Sequence, residues 1–508
     1  MNYCGASGAC SSSANPSTAG AKCAAGQTCF NGACLTVCSG SQIVCGGACV
    51  DPTTNNGYCG ASGNCSGTAV GVACAGGQNC TGSKCACPAA LPSTCSGTCT
   101  NTKSDPNNCG SCGTKCSGST PQCVSGVCTK ACTSFAFTET AYSTPAENPI
   151  WLAIGDVNND GYMDIVYVDQ GSTSNSNLGV LVGSSGGTFT LLTPTSIDPQ
   201  SGRIALGDLS GDHNLDAAVT NYTTNAGEGI VFLGTGSGTW GSPIHLYTDL
   251  LMLGVAVADI NKDGRPDIIM AAQNAGVVIY ENMGNGVFQA MLPVLQPGFL
   301  PYDVAVADMN GDGIPDIVVG GSYNSQGAVT IIQGTGGGLF APAAAVTLTP
   351  AAVAVAATTT FVSTIVNKLV VTDLNGDGYP DVVTADTGYA SVSVLKNVSG
   401  TLTAGAVYKL NPVPSYANAA ALAAGDFNGD GKMDIAVTNY YSGAGGPLLQ
   451  VFPGNGNYTL GTVYNVTLGS GDVPYGIAVA DMNGDGKPDI VTANSYGDTV
   501  SVFKNTCQ

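Results

Sequence analysis

Seven times between Asp156 and Asp489 the chain sets oxygen-bearing side chains at alternate positions of a nine-residue turn. The first copy reads Asp156-Val-Asn-Asn-Asp-Gly-Tyr-Met-Asp164, and the others begin at Asp208, Asp259, Asp308, Asp373, Asp426 and Asp481. Asp at positions 1, 5 and 9 with Asn or Ser at 3 puts four hard oxygen donors on one tight turn. The carbonyl of position 7 adds a fifth, and an oxygen-only set of this kind suits calcium and excludes soft metals. The expected ligands are Asp156, Asn158, Asp160, Tyr162 and Asp164 in the first loop; Asp208, Ser210, Asp212 and Asp216 in the second; and Asp259, Asn261, Asp263, Arg265 and Asp267 in the third. They continue with Asp308, Asn310, Asp312, Ile314 and Asp316, then Asp373, Asn375, Asp377, Tyr379 and Asp381. The last two sets are Asp426, Asn428, Asp430, Lys432 and Asp434, and Asp481, Asn483, Asp485, Lys487 and Asp489, with every position-7 residue acting through its carbonyl. Glycine at position 6 permits the positive φ such a turn needs, except in the second loop, where His213 replaces it and serine is a weaker donor. Six to seven calcium ions are therefore expected.

Asp-Gly and Asn-Gly also form turns without any metal, which would account for positions 3 to 6. It would not account for Asp at 1 and 9 in every copy. Three Asp in each of seven loops make 21 of the 34 acidic residues, and crowding them costs repulsion unless cations sit among them. The loop is not an EF-hand. Tyr167, Met270 and Thr492 stand at twelfth positions where a bidentate Glu would be needed, and the flanks read as strands.

Other chemistry finds little support. The chain has two histidines, His213 in a turn and His245 beside Pro243, and neither lies in a nucleophile-and-base motif. No enzyme activity is expected. Only 14 basic residues face the 34 acidic ones, for a net charge of -20, so nucleic acid and anionic lipid are excluded as partners. The longest apolar stretch, Ala341 to Val366, is broken by Pro342, Pro350 and Thr358 to Thr360 and does not read as a membrane span.

The elements that carry the loops follow from spacing. Successive copies lie 52, 51, 49, 65, 53 and 55 residues apart, a repeat architecture. Each copy is preceded by an alternating small and branched run, such as Val255 to Ala258, and followed by another, such as Asp267 to Met270. A third run, such as Gly276 to Tyr280, and a more variable fourth complete the unit. Four strands per unit in seven units predicts an all-β fold, a seven-bladed β-propeller. An unmatched strand, Ser134 to Thr140, precedes the first unit and should complete the last blade, which lacks its fourth strand. That would bring Cys132 beside Cys507 to clasp the ring, although Cys132 also occupies the place that Cys38 and Cys87 hold in the cysteine-rich repeats.

These loops resemble the FG-GAP or VCBS repeats of integrin α-subunit propellers and of many bacterial surface proteins, over about residues 134–508. The resemblance implies a propeller whose calcium ions brace the blades, and partners ranging from proteins to sugars.

Composition breaks near residue 132. Of 23 cysteines, 22 lie between Cys4 and Cys132, and residues 1–130 carry five Lys and two Asp. Two domains are expected: a disulfide-rich repeat region, 1–131, and the propeller, 132–508. Such cysteine density without large apolar residues implies an oxidising, extracellular setting. Two units, Cys38 to Cys85 and Cys87 to Cys128, hold eight cysteines each. The leading piece, which copies the middle of a unit, implies a longer precursor whose secretion signal precedes this sequence. Zinc is the rival use of pairs such as Cys109 and Cys112. The run Cys95 to Cys128 resembles the cysteine-rich units of stigma-specific plant proteins and their bacterial relatives, a resemblance that implies no chemistry. Sequons at Asn221, Asn397, Asn457 and Asn465 are candidate glycosylation sites. Taken together, the sequence points to a surface adhesion or assembly module, such as a filament subunit, with Ala341 to Val366 as a contact between subunits or an outer strand and loop. A lectin using the grooves between blades is the alternative.

Overall fold

The computed structural model describes residues 134–507 except 146–147, 171–175, 199, 223–226, 248–249, 274, 285, 292–297, 324–325, 341–364, 389, 411–417, 441–447 and 470–471, together with Cys132, much of 93–129 and short backbone strands before that. The chain divides into two compact units, Met1–Ser117 with Cys123–Cys128, and Thr129–Gln508 with Gly118–Gln122. Among the described residues there is no helix.

The larger unit is a seven-bladed β-propeller of antiparallel sheets. Blade 1 runs Pro149–Gly155, Asp164–Asp169, Ser176–Ser184 and Thr188–Leu191, and blade 2 runs Ser201–Gly207, Asp216–Asn221, Glu228–Phe232 and Ile244–Tyr247. Blade 3 is Met252–Ala258, Asp267–Ala272, Gly276–Asn282 and Phe288–Ala290; blade 5 is Ile365–Thr372, Asp381–Thr387, Ser391–Val398 and Thr401–Lys409. Blade 6 is Asn418–Gly425, Asp434–Tyr440, Leu449–Phe452 and Tyr464–Val466. Blade 4 departs from the expected four strands: its described sheet has three, Phe299–Ala307, Asp316–Tyr323 and Gln326–Ile332, followed by a separate ribbon of Gly334–Gly336 with Leu339–Phe340. The apolar stretch from Ala341 falls, up to residue 364, outside the described residues.

Blade 7 closes the circle. Its strands Pro474–Ala480, Asp489–Asn494 and Thr499–Asn505 are completed by Phe137–Ser143, with Phe137 opposite Asn505 and Ser143 opposite Thr499. The closing strand starts at Phe137 rather than Ser134. Cys132 and Cys507 flank this pairing and are disulfide-bonded, their Cα atoms 5.8 Å apart. First strands of neighbouring blades touch all the way round, blade 7 against blade 1 included.

The blades stack face to face, so each second strand has a neighbour on both sides. This explains runs with no polar alternation: Asp164–Asp169, Asp216–Asn221, Asp267–Ala272 and Asp489–Asn494 are buried end to end. Apolar clusters fill the blade interfaces, for example Leu209, Val231, Met252 and Ile268 between blades 2 and 3, and Tyr167, Leu181, Val491 and Val502 between blades 1 and 7.

Each first strand also carries one irregularity near its start, at Ile150, Gly202 and Arg203, Leu253, Tyr302, Asn367, Ala420 and Tyr475. Extra residues of this kind bend a strand and re-aim its side chains. Neighbouring first strands come very close here. A Cβ on Gly254 would lie 2.7 Å from Cα of Asp303, and one on Gly476 2.6 Å from the Ile150 carbonyl oxygen.

In the smaller unit, Ser93–Cys95 pairs with Thr98–Thr100, and disulfides join Cys95 to Cys112, Cys109 to Cys123 and Cys116 to Cys128. Cys109 and Cys112 thus belong to different disulfides and offer no thiolate pair to zinc. Buried half-cystines supply the core here in place of large apolar residues. Most of the repeat from Cys38 to Cys85 lies outside the described residues.

Candidate metal centres

Every loop joins the first strand of a blade to its second; all seven share two hydrogen bonds, and the six with Asn at position 3 share a third. The position-1 Asp accepts the amide of position 6 at 2.7–3.0 Å, the position-5 Asp accepts that of position 7 at 2.7–3.0 Å, and Asn at position 3 accepts that of position 5 at 2.8–3.0 Å. The acidic side chains are therefore also the turn's own fasteners, as Asx turns are. In the first loop the Asp160 amide lies within reach of both Asp156 Oδ1 and Asn158 Oδ1, which sets positions 1 and 3 side by side. His213 adopts φ of 73° at the glycine position of the second loop and holds the same bond to Asp208, 3.0 Å long.

Position 9 behaves differently. Asp164, Asp216, Asp267, Asp316, Asp381, Asp434 and Asp489 are all fully buried. One oxygen of each accepts the amide of position 2 at 2.7–3.1 Å; the other accepts an amide at the end of the third strand at 2.7–2.8 Å. This side chain ties the loop to its blade. Each oxygen keeps a lone pair for a further partner, except Oδ2 of Asp216, which accepts the amides of both Leu209 and Ser210. Among the described residues, three acidic or histidine side chains with ligand atoms all within 4.8 Å of one another meet at Asp198, Glu228 and His245, and not at a loop. The structure brings positions 1, 3 and 5 together and turns position 9 inward.

The electrostatics fit a hard cation. Burial raises the Asp164 and Asp267 carboxyls to about 6 and those of Asp434 and Asp489 to about 7; the amide bonds oppose this, and the charges at positions 1 and 5 add to it. Calcium would supply the missing positive charge to donors at positions 1, 3 and 5 and the position-7 carbonyl. Two loops also carry a cation of their own, since Arg265 pairs with Asp263 and Lys432 lies 3.4 Å from Asp430, and the His213 ring lies 3.6 Å from Asp208.

Two features escape a reading of loop spacing alone. Position 2 is always large and apolar, and Val157, Leu209, Ile260, Met309, Leu374, Phe427 and Met482 are all buried, anchoring each loop in the core. Asn282, Asn397 and Asn505 end the third strands of alternate blades and reach the preceding blade, donating to the carbonyls of Leu209, Met309 and Phe427 at 2.7–2.8 Å. The signal was present as Glu281-Asn282, Lys396-Asn397 and Lys504-Asn505 at equivalent places. Of the sequon residues, Asn397 is buried with its amide donating to the carbonyls of Met309 and Pro380, and Asn221 is buried as well. Asn457 and Asn465 are exposed.

The FG-GAP-like repeat matches residues 156–219, 218–270, 261–319, 373–437 and 426–492, more than half of the chain. The protein belongs to the FG-GAP-like repeat family. No curated protein matches it. Among solved structures it is similar to BBS1N in complex with ARL6DN, in crystals soaked with mercury or with lead. The identities are 10% and 11%, over 74% and 73% of this chain and 99% and 97% of those chains, with TM-scores of 0.46 and 0.47.

Proposed function

We propose that this protein is a non-enzymatic, extracellular binding module: a rigid propeller braced by six to seven calcium ions that serves adhesion or assembly at a surface, as a subunit of a filament. One observation carries the reading. An oxygen-only turn recurs in all seven blades of a closed ring, gathering three carboxylates in each copy against, among the described residues, at most one paired cationic side chain. Charge spent on bracing a frame suits a scaffold, and the disulfides of the smaller unit suit an oxidising, protease-rich setting. The partner is then a protein, or a second copy of this chain.

Thermal melting with and without a calcium chelator tests the bracing. A metal held by the native state alone contributes about 2.7 kcal/mol per site at a hundredfold excess over Kd, so chelation should lower Tm by many degrees. An unchanged Tm would remove calcium from the account. Electron microscopy of native material tests assembly: filaments or paired particles are expected, and a uniform monomer would remove it.

A further inference from the structure

The irregularities of the seven first strands converge at one mouth of the propeller's axis, at the strand ends opposite the metal loops, and all of them line a single cavity of about 750 Å³. That volume falls in the roughly 300–1,000 Å³ range of small-molecule sites.

One wall is an aromatic ladder. Tyr496, 60% exposed, stands at the rim and stacks on Tyr440 with ring centres 6.0 Å apart, their hydroxyls 2.9 Å from each other. Tyr440 meets Tyr475 at 5.4 Å, and Tyr475 meets the buried Trp151 at 5.3 Å. Below them Arg203 crosses the axis from blade 2: its guanidinium lies 4.3 Å from the Trp151 ring centre and bonds to Asp303 of blade 4 and the Asn367 carbonyl of blade 5. Asp303, fully buried, also receives Lys368 at 3.2 Å. Arg203 thus forms a fixed floor. With one carboxylate shared between Arg203 and Lys368, that floor carries no excess negative charge. Among the described residues no acidic side chain lines the cavity, although the protein is strongly acidic overall, so the described lining offers nothing to attract a cation. The remaining lining includes the neutral amides of Asn148 and Gln170. Aromatic faces, which pack against the C–H faces of sugar rings, combined with neutral amides and hydroxyls, which pair with vicinal hydroxyl groups, define one ligand chemistry.

We infer that this axial cup binds a short stretch of carbohydrate, laid along the ladder from Tyr496 toward Trp151. It rests on the binding-module reading and moves the sugar site from the grooves between blades to the ring axis.

The test uses the full calcium-loaded chain, first shown by melting to be folded. Saturation-transfer NMR and calorimetry are run against a panel of neutral cello-, manno- and chito-oligosaccharides and acidic oligogalacturonate. At least one should bind, and Tyr496→Ala should weaken it tenfold or more with Tm lowered by no more than a few degrees, because this exposed rim side chain contacts the ladder only through its stacking and hydroxyl bond with Tyr440. Tyr247→Ala, removing a still more exposed tyrosine on the outer strand of blade 2, should leave binding as it was. Loss of Tm on chelation together with silence toward the whole panel at millimolar concentration would overturn the cup and leave the braced module standing. Binding that Tyr496→Ala and Tyr440→Ala both leave intact would also overturn it.

Discussion

Single residues in this propeller are tuned by what surrounds them on the buried second strands. Asp386, away from the loops, is held by the hydroxyls of Thr384, Ser391 and Ser393, yet burial raises its carboxyl from 3.8 to about 6. A carboxyl whose pKa is higher folded than unfolded stabilises the fold while protonated. Its contribution is complete below about pH 4 and is lost as pH rises through about 6. Asn494 occupies the equivalent place in blade 7 and meets the same kind of hydroxyl set, Thr492, Thr499 and Ser501, without a charge. Asp386→Asn should therefore raise stability at pH 7–8 by about 1–3 kcal/mol and change little at pH 4. Urea unfolding across that range checks it, and an equal effect at both ends would show that the charge is not the cause. Asn397→Leu should cost about 2–3 kcal/mol, because it strands the carbonyls of Met309 and Pro380 inside the protein.

At the scale of the loop and its strands, spacing alone exposes the metal-shaped turn, because Asp at 1, 5 and 9 repeats without exception. What spacing does not show is the division of labour. Position 9 is pulled inside by two amides, one of them from a strand far along the chain, and only the sheet's register brings that amide to it. The apolar residue at position 2 is visible in every copy, yet its meaning as an anchor appears only once the blades stack. A loop without its own cation gives the cleanest test: Asp373→Asn with Asp377→Asn should remove one bound calcium from the total and lower Tm by a few degrees while the other six loops hold. A calcium titration followed by calorimetry reads both. An unchanged calcium count would make these acids turn fasteners alone.

For the whole molecule, seven loops declare seven blades, and the unmatched strand with its flanking cysteines declares how the ring shuts. The axial mouth is not legible in this way. The residues at its seven irregularities share no side-chain type, so no period marks them, and only closure of the ring brings them together. Blade 4 is likewise unreadable past Phe340, where the apolar run has no alternation to place a strand. Because Phe137–Ser143 pairs with the last strand by itself, Cys132→Ser with Cys507→Ser should leave the propeller assembled but less stable by about 2–5 kcal/mol, seen as a lower chemical-denaturation midpoint. Failure to fold would instead make the disulfide the closing element. The claim on which most rests is that the acidic turns hold divalent ions. Elemental analysis of the protein after gel filtration in metal-free buffer addresses it most directly: six to seven calcium atoms per chain are expected, and a chain that is folded yet free of alkaline-earth metal would contradict it.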